Sequence, residues 1–97
     1  MKREPLDFME RKVRRCMRAF TAEAIRLKGK LDPKAERAVA AIRAEIKDCG
    51  SSPYIEADVV KDNIFWLLAL REPEQLPLMR AACDLLYAAQ ELGYTQP

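Results

Sequence analysis

Seven consecutive apolar residues, Ile64-Phe65-Trp66-Leu67-Leu68-Ala69-Leu70, include the only tryptophan of the chain. At about 100° per residue, a helix built from them is apolar on every side, and such a helix has to be surrounded by protein or lipid. The run covers only about 10 Å of helix, whereas crossing a bilayer takes roughly 20 residues. Protein is therefore the expected surrounding. This makes the run the centre of the fold and predicts that Trp66 is mostly buried.

The rest of the chain reads as helix. Proline follows an acidic residue or serine at Glu4-Pro5, Asp32-Pro33, Ser52-Pro53 and Glu72-Pro73. Proline suits the first helical position, where its missing N–H has no partner to lose, and Asp or Ser before it can cap free N–H groups. Gly29, Gly50 and Gly93 can end helices by taking a left-handed conformation. Fourteen alanines favour helix, and no segment alternates with the period of two that marks a half-buried strand. The fold class is all-α: one compact four-helix, bundle-like domain over residues 1–97, with helices at about 5–28, 33–48, 53–71 and 74–92. A chain of this length hides roughly 60 to 70% of its extended surface, enough for one modest core.

The first predicted helix is long and basic. Leu6, Met9, Val13, Cys16, Met17, Phe20, Ala24 and Leu27 recur at three- and four-residue steps and line one face. Arg11, Arg14, Arg15 and Arg18 stand opposite, with Arg26 further along the same side. Asp7 and Glu10 precede Arg11 and Arg14 by four residues, a favourable orientation, while Arg15 and Arg18 have no local acidic partner. The second helix offers Ala35, Ala38, Val39, Ile42, Ile46 and Cys49 as its inner face. In the third, Glu56, Asp58 and Asp62 favour the positive end of the helix dipole and the apolar run forms a buried rear half. The fourth places Leu76, Met79, Cys83, Leu86 and Tyr87 on one stripe, which Leu78, Ala82, Leu85 and Ala89 widen.

Chemistry is scarce. The chain has no histidine, the commonest general base and metal ligand, and its three glycines form no phosphate loop. Cys16, Cys49 and Cys83 are odd in number and lack metal-type spacing, which points to reduced thiols and a cytoplasmic setting. Carboxylate pairs such as Asp58/Asp62 and Glu72/Glu74 read as solvated charge. Helical enzymes that grip dianions with arginine need those arginines facing inward, and here they lie opposite the apolar face. No enzyme, cofactor, metal or small-molecule substrate is expected.

Charge distribution carries the remaining signal. Residues 1–30 hold ten Lys/Arg against four Asp/Glu, a local +6, whereas residues 31–97 hold seven against eleven, a local −4. The expected function is that of a non-enzymatic protein-interaction module: an adaptor, inhibitor or regulatory subunit. Arg11, Arg14, Arg15, Arg18 and Arg26 would dock it on an acidic protein partner or on a second copy. A first helix about eight residues longer than the second leaves roughly 12 Å of its stripe uncovered, which a dimer would close. The alternative is nucleic-acid backbone binding through the same face. No aromatic residues interleave the arginines, and a helix opening with Glu56, Asp58 and Asp62 has the wrong sign for a recognition helix. No membrane association is expected, because the apolar side of the basic helix is consumed by the core.

Overall fold

The computed structural model describes residues 6–94, which form four helices and no strand. Helix α1 spans Leu6–Arg26, α2 Pro33–Cys49, α3 Ala57–Leu68 and α4 Leu76–Tyr94, the last preceded by a 3-10 turn at Pro73–Gln75. The chain runs up and down. Arg26 reaches Glu74 while Lys12 meets Glu91, so α1 and α4 are antiparallel. Around the bundle the packing order is α1, α4, α3, α2; α1 and α3 lie diagonally, and α1 and α2 scarcely touch along their length.

Local chemistry explains α2 best. The Asp32 carboxylate accepts the Ala35 N–H at 2.9 Å, and Pro33 occupies the first turn. At the far end Gly50, with φ of 60° and ψ of −119°, donates its N–H to the Lys47 carbonyl at 3.1 Å. Gly29, at φ 80°, turns the chain out of α1 in the same left-handed range. Gly93 ends nothing: it lies within α4, which continues to Tyr94.

Helix α3 starts later than its proline predicts. Pro53 is buried, and the chain stays extended through Glu56. Ile55 inserts into the core at 6% exposure, and Tyr54 carries its hydroxyl 2.6 Å from Glu10 on α1. Burying Ile55 and tying the segment to α1 outweigh the helical preference of the proline start. Pro73 likewise begins a 3-10 turn rather than α-helix. Its Gln75 side chain is buried and donates to the Lys30 carbonyl at 3.3 Å, pinning this turn to the α1–α2 loop. The expected start at Pro5 falls outside the described residues.

The core draws on all four helices. Phe20, Leu27, Ile42, Leu67, Leu78, Leu85 and Leu92 are its largest fully buried members together with Val13 and Val60. Full burial of each such side chain stabilises by about 1.5 to 3 kcal/mol. On α1 and α2 the expected inner faces are the observed ones, except that Leu6 is exposed.

The third helix, expected to be buried throughout its rear half, is buried on one side only. Val60, Ile64 and Leu67 face inward at spacings of four and three, with Leu70 just beyond. Phe65 is 67% exposed, Trp66 40% and Leu68 47%, so the expectation of a mostly buried tryptophan is not met. With α2 on one flank, α4 on the other and nothing outside, α3 has no neighbour to cover the arc between them. On α4 the buried line is Leu78, Ala81, Ala82, Leu85, Ala88, Ala89 and Leu92, so the residues expected to widen the stripe form its centre, and Tyr87, expected on it, is 70% exposed. Small alanines let α4 approach both neighbours closely, which places the larger Leu76 and Tyr87 at the margins.

Candidate protein-interaction site

The five arginines share one outward arc of α1 but differ in what they bind. Arg26 is bound within the fold: its Nε donates to Glu23 at 2.8 Å and its Nη2 to the Glu74 carbonyl at 2.6 Å. Arg14 does not pair with Glu10, whose carboxylate accepts the Tyr54 hydroxyl instead. Its Nε donates to the Ser51 carbonyl at 3.1 Å and ties α1 to the end of α2. Arg11 meets Asp7 at 3.4 Å as the spacing predicts, but both side chains are solvated, so the pair contributes little. Arg15 and Arg18 are exposed and have no ion-pair partner among the described residues. The acids of α3 do not neutralise this surface, because α3 is diagonal to α1.

Two grooves flank the basic helix, and the arginines divide between them. On the α4 side a groove of about 560 Å³ places Arg15 and Arg80 beside Glu23 and Asp84, so its charges balance. On the α2 side a groove of about 530 Å³ has a different composition. Met17, Ala22, Ile25 and Ile46 supply its apolar lining, Arg14 and Arg18 its cations, and no carboxylate lines it. Ile25 is 57% exposed there. This groove exists because α1 packs on α4 and α2 on α3, leaving the α1–α2 seam open. Arg14, Arg18, Thr21 and Ile25 follow one another at spacings of four, three and four, a single row along α1. An isoleucine in line with two arginines and a threonine is the signal in the sequence that marks this groove.

The thiols are poor nucleophiles. Burial pushes the Cys16, Cys49 and Cys83 thiols above their ordinary value of 9.0; the nearby carboxylates of Asp84, Glu45 and Asp84 respectively act in the same direction. All three are half-buried. Among the described residues no group of three or more His, Cys, Asp or Glu could hold a metal ion, and no helix is long and apolar enough to cross a membrane. Comparison with protein-family models, with curated proteins and with solved structures finds no match for this chain.

Proposed function

We propose that this chain is a non-enzymatic interaction module that seats an acidic amphipathic helix of a protein partner in the groove between α1 and α2. The observation that carries this reading is an apolar groove with Ile25 standing open in it, lined by Arg14 and Arg18 and by no carboxylate. Helix-in-groove recognition places apolar anchors at i, i+3, i+4 and i+7 on such a floor. Carboxylates beside those anchors would meet Arg18, whose charge no described partner neutralises. Three free thiols fit a reducing setting, the cytoplasm.

The nucleic-acid reading has less support. Arg14 and Arg26 already donate to carbonyls within the fold and Arg11 to Asp7, so Arg15 and Arg18 remain as the unengaged pair. Two phosphate contacts give a log-log salt slope near −1.8, the signature of weak binding.

Fluorescence anisotropy with a designed acidic helical peptide, leucines at i, i+3, i+4 and i+7 and glutamates between, tests the proposal. Arg18→Glu and Ile25→Asp should each weaken binding about tenfold or more with unchanged helical circular dichroism. A lysine-bearing version of the peptide should bind worse. Equal binding by Ile25→Asp and the unmodified chain, or equal affinity for both peptides, refutes the groove as the site.

A further inference from the structure

The outer arc of α3 is an apolar surface that the bundle leaves uncovered. Phe65, Trp66 and Leu68 lie on it at 67%, 40% and 47% exposure, with Ala69 beside them. The two aromatic rings meet edge to face at 5.3 Å, and Lys34 of α2 places its ammonium 5.1 Å from the Trp66 ring centroid. Contacts on two sides hold the indole in one orientation, so it can be buried by a partner with little further loss of freedom.

Charges bracket this patch in a particular order. Lys61 and Asp62 precede it, and Arg71 and Glu72 follow it, all four exposed. Lys61, Asp62 and Glu72 form no ion pair among the described residues, and Arg71 donates only to the Leu68 and Leu70 carbonyls. Laid antiparallel on itself, the patch brings the Lys61/Asp62 end of α3 in one copy towards the Arg71/Glu72 link that follows α3 in the other, with Phe65 opposite Leu68. A parallel copy brings like against like.

We infer that two copies of this chain associate through α3, antiparallel about a two-fold axis, with Phe65, Trp66 and Leu68 at the centre of the contact. A second copy fits better than an acidic partner or an anionic bilayer because the rim is balanced: Lys34, Lys61 and Arg71 against Asp58, Asp62 and Glu72. Self-complementarity of this kind is what a two-fold interface requires. Aromatic side chains carry roughly 150 to 250 Å² each, so the exposed parts of these three residues amount to about 300 Å² per copy. With the charged rim added, the buried total approaches the low end of specific interfaces, about 1,200 Å². Because α3 is diagonal to α1, such a dimer leaves the α1–α2 groove free on both copies. Two grooves in one particle would bind a divalent partner with increased avidity. The inference does not depend on what the groove holds.

Analytical ultracentrifugation of the full chain from about 1 to 500 μM should show its mass rising from 11.1 kDa towards twice that value. Phe65→Ser, at a residue the core does not need, should abolish the rise while leaving circular dichroism unchanged. Lys61→Glu places like charges together twice and should weaken the dimer about fivefold. Lys61→Glu combined with Glu72→Lys should restore it. A monomer at every concentration overturns the inference, as does a dimer indifferent to Phe65→Ser. Failure of the double exchange to rescue overturns the antiparallel register. A chain that stays monomeric and cosediments with phosphatidylserine vesicles through Phe65 assigns the patch to a bilayer instead.

Discussion

Neighbouring residues of one apolar run should behave in opposite ways when truncated. Leu67 is fully buried between α2, α4 and the rest of the core, and Leu→Ala at such sites costs about 2 to 5 kcal/mol through lost transfer energy and the cavity left behind. Phe65 keeps two-thirds of its surface in water. Only the buried third contributes, so Phe65→Ala should cost under about 1 kcal/mol. Trp66 falls between, with three-fifths of its side chain covered and an exposed cation–π contact to Lys34, for about 2 kcal/mol on truncation. A domain of this size is stable by about 5 to 15 kcal/mol in total. Urea melts followed by fluorescence well below micromolar concentration, where self-association does not contribute, measure the difference. With a slope of about 1 kcal/mol per molar, Leu67→Ala should move the midpoint by about 3 M and Phe65→Ala by less than about 1 M. Equal shifts would mean that the run is surrounded on all sides and that the one-sided burial of α3 is wrong.

Other substitutions report on the helix ends and the thiols. Asp32→Ala removes the cap on the Ala35 N–H and should cost about 0.5 to 2 kcal/mol in the same urea assay, with Asp32→Asn recovering most of it. Gly50→Ala meets no neighbouring atom, so its destabilisation, about 1 to 3 kcal/mol, should come wholly from a backbone with φ of 60°. Because burial raises the three thiols in the folded chain, the unfolded chain loses those protons first as pH rises. The stability they contribute is therefore complete below pH 9.0 and is lost as pH climbs through the folded values. Thermal melts between neutral and strongly alkaline pH should show this decline, and replacing all three cysteines by serine should flatten it.

Where short-range chemistry decides the structure, the sequence can be read directly. Asp32, Pro33 and Gly50 define α2 because a carboxylate, a fixed φ and a missing Cβ each act within a few residues. At Pro53 the same reasoning fails: the cap signal is intact, but inserting Ile55 into the core and linking Tyr54 to Glu10 require an extended chain. Seven apolar residues in a row carry no internal phase, so the buried side of α3 cannot be read from them alone. Carrying the period back to Val60 supplies it, since Val60, Ile64 and Leu67 share a face that excludes Phe65 and Trp66. The arginines were legible as a group and not as individuals. In the sequence Arg14 has a local acid in Glu10 and Arg18 has none, but nothing local shows that Arg14 turns to Ser51 instead while Arg18 remains in water. The overhang expected of α1 is small, 21 residues against 17, and α4 runs alongside it. Uncovered apolar surface lies instead on α3.

The packing of α1 against α4 has a consequence for how the chain folds. This contact joins the first described helix to the last, with Lys12 beside Glu91. The apolar stripe of α1 can therefore meet α4 only after α2 and α3 have been made. Bundles held by contacts between successive helices close small loops and fold quickly; here the final closure spans most of the sequence and carries the larger entropic cost. Until α4 arrives, the apolar stripe of α1 has only the loosely held α2 beside it.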